Sequence, residues 1–202
     1  MSRSSASPIL ETLVVFVLVA VVQAISGVFG VMAGLFILSA PITTNPWTIV
    51  TSVYAHSGLG HLLSNSVALV VFGWLVARST TRLRFHAFFL TTGALAGISQ
   101  VWFGSLLGVD VGVLGASGAV FALLGYLLAS NPFAEGLSSI VDVPRWAVLF
   151  VFVVLAITVT LATASPQAAL IAHFTGFLLG LVAGRARILR VSQRHAGRGP
   201  PV

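Results

Sequence analysis

Charged residues punctuate this chain at long intervals, and the apolar runs between them set its elements. The 66 residues between Glu11 and Arg78 contain no Asp, Glu, Lys or Arg. One polar turn, Pro41-Ile42-Thr43-Thr44-Asn45-Pro46, divides that run in two. The runs from Arg84 to Asp110 and from Asp110 to Glu135 hold one segment each. The 39 residues between Arg145 and Arg185 break at Ser165-Pro166-Gln167 and hold two more. A helix crosses a bilayer with about 20 mainly apolar residues. The pattern therefore predicts six membrane helices, near 9–29, 61–77, 85–103, 115–130, 146–163 and 168–184. The 13 apolar residues from Val28 to Ala40 are too few for a span of their own. They read either as the end of a long, tilted first helix or as an interfacial segment. The first helix is too long, and too poorly followed by a cleavage site, for a removable signal peptide.

Composition narrows the class. Apolar residues make up 57% and charged residues 7%, with a mean hydropathy of +1.07. Soluble domains carry about 25% charged residues, so a water-facing surface cannot be built from this stock. A soluble globular protein, a disordered chain and a nucleic-acid-binding domain are excluded, and the lipid bilayer is the expected surround. The chain has no Cys, which removes disulfides, thiol nucleophiles and Cys-based zinc sites. All ten basic residues are Arg, and they set orientation by the positive-inside rule. Arg3, the group Arg78, Arg82 and Arg84, then Arg145, and finally Arg185 to Arg198 all fall on one side of six spans. Both termini are thereby expected in the cytoplasm. The expected organisation is a cytoplasmic N-terminus (1–8), a membrane domain (9–184) and a basic tail (185–202).

Polar side chains inside a membrane are costly, which makes them functional suspects. His61 and Asn65 open the second predicted helix, Ser117 opens the fourth, and His173 lies near the start of the sixth. Helices two, four and six run the same way, so all four groups fall at one depth near the external face. Singly, each has a structural explanation: a Ser bonds its own helix, a His links two helices. Together they have the parts of a hydrolase. A Ser hydroxyl needs a base to take its proton, and His suits neutral pH. A tetrahedral oxyanion needs donors, which His61, Asn65 and the Ser117 N–H could supply. No Asp is placed to orient the base, which favours a Ser/His dyad over a triad. Small residues agree: Gly118, Ala122, Gly125 and Ala129 repeat along helix four, and Gly176, Gly180 and Gly184 along helix six. Such stripes let helix backbones approach closely.

At these residues the chain resembles the rhomboid family of intramembrane serine proteases. The matching pieces are G-A-S-G-A-V-F-A (115–122), H-L-L-S-N (61–65) with His56 five residues upstream, and H-F-T-G-F-L-L-G (173–180). The resemblance runs from Ile9 to Gly184 and implies an all-α, six-helix rhomboid-like bundle. It implies Ser117 as nucleophile, His173 as general base, and His61 and Asn65 on the oxyanion side. Gly115, Gly118, Phe121, Gly176, Gly180 and His56 would support them. Family members cut transmembrane protein substrates near the outer membrane face, with helix five as lateral gate and the loop before helix six as cap. Here the cap is Ala164 to Ala168, and the family's submerged first loop matches Val28 to Ala40. The chain departs from the family twice. Trp47 is followed by Thr48 where many members have Trp-Arg, and Phe121 stands where a Tyr often packs on the catalytic imidazole.

Two other classes compete with a protease. A catalytically silent rhomboid-like binder or chaperone is expected to have lost the Ser or the base, and this chain keeps both. A transporter or channel needs polar groups at the midplane or along a through-path. The inner halves of helices two, four and six are instead apolar or Gly. No metal or organic cofactor is expected, and oligomeric state leaves no mark in the sequence.

Overall fold

The computed structural model describes residues 7–109, 112–130, 144–162 and 169–191. Helix α1 spans Ser7–Val28, α2 Met32–Phe36, α3 Thr48–Tyr54 and α4 Leu59–Ala77, the last with a π-turn at Leu69–Gly73. Helix α5 spans Arg82–Leu106, α6 Ser117–Ala129, α7 Arg145–Ala162 and α8 Leu170–Arg185. The six helices predicted from the charge pattern correspond to α1 and α4 to α8. Three of them, α1, α4 and α5, are long and apolar enough to cross a membrane. Helices α6 and α8 are apolar but shorter, at 13 and 16 residues, or about 20–24 Å. The difference is local: α6 starts only at Ser117, because Gly115 turns the chain there with φ +138°.

Helix α1 is built inside out. Leu10, Val17, Leu18 and Val21 face outward, while Thr12, Gln23 and Ser26 are buried. An apolar exterior over polar interior contacts is the pattern of a protein solvated by lipid tails. Helix α1 stops at Val28 and Gly30 turns the chain at φ +70°, so the reading of one long first helix is overturned. The following residues make the separate short helix α2 and an extended piece. In that piece Leu38 pairs with Val113 through two backbone hydrogen bonds of 2.9 and 2.8 Å. Helix α3, after the Pro41–Pro46 turn, has no counterpart among the predicted elements.

The centre of the bundle is the contact of α6 with α8. A Cβ on Gly176 would fall on the Gly118 carbonyl, one on Gly180 on the Ala122 carbonyl, and one on Gly125 on the Phe177 carbonyl. No side chain separates these backbones. Helix α5 closes on the same site from a third side, with Ala96 against Gly118 and Val53 of α3 against Gly93. Phe16, Phe85, Phe89, Leu69 and Leu123 fill the core around this contact. Helix α7 joins through a smaller cluster of Ala156, Phe152 and Val159 with Phe177 and Leu181. The expected cap, 164–168, lies outside the described residues.

Candidate active site

The first turns of α4, α6 and α8 meet around a cleft of about 740 Å³. Ser117, His173, His61 and Asn65 all line it, together with Phe121 and, from α7, Val159. Residues from sequence positions more than 100 apart thus share one cavity. The polar groups gather at one end, and Ala68, Phe72 and Leu124 make the remainder apolar.

Ser117 is the first residue of α6. The leading N–H groups of a helix have no intrahelical acceptor, so the nucleophile candidate carries a donor on its own backbone. Gly115 precedes it under two constraints: its φ of +138°, and His61 lying where a Cβ would stand, 2.6 Å from the ring's Cε1. Its N–H donates to the Ser52 carbonyl at 2.8 Å, fixing the turn to the end of α3.

The His173 ring stacks on Phe121 at 4.4 Å with 27° between planes. Its Nδ1 is buried with no hydrogen-bond partner, so Nε2 is the nitrogen that faces the cleft. Among the described residues the one carboxylate is Glu11, which accepts from Arg82 and from His86 at 2.8 Å. Among the described residues, what holds the imidazole is the stacking on Phe121 and packing within the bundle.

His61 is oriented by Ser57. The Ser57 backbone N–H points at His61 Nδ1 at 3.5 Å, and its Oγ lies 3.1 Å from the same atom. A backbone N–H can only donate, so Nδ1 is the acceptor and the ring proton sits on Nε2. Asn65 lines the cleft and donates through Nδ2 to the His61 carbonyl at 3.0 Å, and the same nitrogen carries a second N–H. His56 is buried behind His61, edge-on at 5.1 Å. Gln23 of α1 holds the His56 backbone, accepting from its N–H at 3.0 Å and donating to its carbonyl at 3.2 Å.

Gly118, Gly176 and Gly180 do not line the cleft; they lie in the α6–α8 contact behind it. Reasoning from the sequence missed three supports: Ser57, Gln23 and Gln100. Gln100 Oε1 accepts from the N–H groups of Ile171 and Ala172 at 3.0 and 3.1 Å, so α5 caps the helix that carries His173. A lone Gln within an apolar helix was the available signal. The first loop lacks an Arg after Trp47 and is tied otherwise: Trp47 Nε1 donates to the Gly34 carbonyl at 2.9 Å, and Thr51 Oγ1 to that of Leu35 at 2.6 Å.

Residues 43–190 match the Rhomboid domain. The chain belongs to the rhomboid family. It is 28% identical over 145 residues to "RHOMBOID-like protein 5" of Arabidopsis thaliana, covering 71% of this chain and 45% of that one. It is 33% identical over 82 residues to "Putative rhomboid protease YdcA" of Bacillus subtilis, covering 41% and 40%. Over 113 residues it is 28% identical to "Rhomboid protein 1, mitochondrial" of Saccharomyces cerevisiae, covering 55% and 33%. The chain spans less than half the length of each of these relatives. With its family and its outward apolar helices, this rhomboid is a membrane protein.

Proposed function

We propose that this rhomboid is an intramembrane serine endopeptidase that cuts transmembrane proteins near the outer face of the cell membrane. In this reading it has six spans, both termini in the cytoplasm, and 9–184 as the membrane domain. The observation that carries the reading is the single cleft shared by Ser117, His173, His61 and Asn65. Ser117 Oγ attacks the scissile carbonyl while His173 Nε2 takes its proton. The oxyanion is held by His61 Nε2–H and the Ser117 N–H, with Asn65 beside them. As the intermediate collapses, His173 returns the proton to the leaving amine, and water then repeats the sequence on the acyl-enzyme. The apolar length of the cleft suits an unwound stretch of a hydrophobic substrate helix. Helix α7 is the wall through which such a helix enters.

The test is cleavage of a panel of single-span substrates by purified protein and by Ser117→Ala, with fluorophosphonate labelling of both. Wild type should cut and label; Ser117→Ala should do neither while staying folded. Substantial residual cleavage by Ser117→Ala overturns the serine mechanism. A folded wild type that neither cuts nor labels returns the silent-binder reading.

A further inference from the structure

At the other end of the bundle, where α4 and α8 finish, lies a second cavity of about 900 Å³. Arg78, Arg187 and Arg190 line it with Ser79, Thr80 and Thr81. We propose that it binds the phosphate headgroup of an anionic phospholipid.

Topology asks only that arginines lie on one side. It does not ask that residues 78, 187 and 190, from two segments far apart in sequence, face one hollow with hydroxyl side chains between them. The hollow is built by specific ties. The Val191 N–H donates to the Ser79 carbonyl at 3.2 Å, and Arg84 Nη1 to the Arg190 carbonyl at 3.2 Å. These bonds hold the segment after α8 against the α4–α5 turn. Arg187 takes a left-handed conformation, φ 52°, where the chain leaves α8. The Arg78 guanidinium lies 4.6 Å over the Trp74 ring, which fixes its direction.

Two further observations point to an anion. Thr80 Oγ1 is buried without a hydrogen-bond partner, and a buried hydroxyl left so is costly unless something fills the role. Among the described residues no carboxylate lines the cavity, and Glu11 is engaged with Arg82 and His86. The neighbourhood distinguishes a lipid from free phosphate. Trp74 and Leu75 one turn back along α4, and Ile188 beside Arg187, are exposed apolar side chains close in sequence to the lining residues. A lipid can place its headgroup among the arginines and its acyl chains along these residues; inorganic phosphate gains nothing from them.

The probe is phosphatidylglycerol in nanodiscs with phosphatidylcholine, and the readout is lipid retained on the protein by native mass spectrometry. Wild type should retain phosphatidylglycerol over phosphatidylcholine. Arg78→Gln and Arg190→Gln should each reduce retention roughly five-fold. Arg185→Gln removes the same charge at the same end outside the cavity and should change little. Thr80→Val keeps shape and charge, so a drop there reports the hydroxyl itself. Equal losses at Arg185 and at the two cavity arginines, or no preference by wild type, overturn the proposal. So does full displacement of the lipid by millimolar inorganic phosphate, which would make the hollow a site for the free anion.

Discussion

Helices α8 and α7 both wall the candidate cleft, and they are held in opposite ways. Helix α8 buries eight of its 16 residues, three of them Gly set against the backbone of α6. Helix α7 buries only Ala156 and Thr160 among its described side chains, and turns Trp146, Phe150 and Val151 outward. Small residues bring backbones together and leave no slack; large side chains on a lipid-facing helix can slide and repack. On the proposed function, one wall would fix the chemistry and the other would admit substrate. The distinction comes from residue size rather than hydrophobicity, since both helices are apolar.

The hardest way to break the fixed wall is Gly180→Leu. Its side chain would need the space of the Ala122 backbone. Overpacking costs about 1–3 kcal/mol even where side chains can yield, and here the neighbours are main chain. A displacement of about 1 Å at reacting groups costs roughly 100-fold in rate. Cleavage should fall by at least that much, with a lower thermal midpoint and weaker labelling of Ser117. Gly180→Ala should lie between, because a Cβ alone already collides with the Ala122 carbonyl. Wild-type activity in Gly180→Leu would show that α6 and α8 do not meet as described.

A smaller break comes from Gln100→Leu, which strips the cap from α8 and leaves two N–H groups unpaired. Losing a cap typically costs about 1 kcal/mol. Thermal stability should drop by a few degrees and cleavage by several-fold, and Gln100→Glu, which keeps the acceptor, should restore both. A silent Gln100→Leu would mean that α8 is held by the glycine contact alone.

Ser57→Ala removes one hydroxyl from His61 but keeps the backbone N–H. A neutral hydrogen bond contributes about 0.5–1.5 kcal/mol, so the turnover rate should fall up to about ten-fold with KM nearly unchanged. A change confined to KM would assign Ser57 to substrate contact instead of to His61.

The mildest test loosens the movable wall. Phe152 packs into the cluster against α6 and α8, whereas Phe150 faces outward. Phe152→Ala should speed cleavage of transmembrane substrates by a few-fold with little gain for a soluble peptide, and Phe150→Ala should be silent. Equal gains on both substrates would argue against entry past α7.

The helices were legible because lipid permits few charges, so Glu11, Arg78, Arg84 and Arg145 mark segment ends almost by themselves. The candidate site was legible because Ser117, His61, Asn65 and His173 are polar where polarity is expensive. What escaped was anything set by contacts distant in sequence. Gln100 meets Ile171 across 71 residues and Gln23 meets His56 across 33; no local pattern encodes either pairing. Helix α3 escaped because seven residues, Thr48–Tyr54, are too few to show a period.

The Gln23–His56 pairing bears on where this protein can be cut. The Rhomboid domain match begins at residue 43, after α1 and the first loop. Yet α1 is pinned at both ends: by Gln23 to the chain just before α4, and by Glu11 to Arg82 and His86 of α5. Phe16 from the same helix lies 4.8 Å from the His56 ring. A fragment trimmed to the matched region would expose the buried face of His56 to lipid and leave its N–H and carbonyl unpaired. For engineering, α1 is a brace behind the candidate cleft, and the minimal unit includes it.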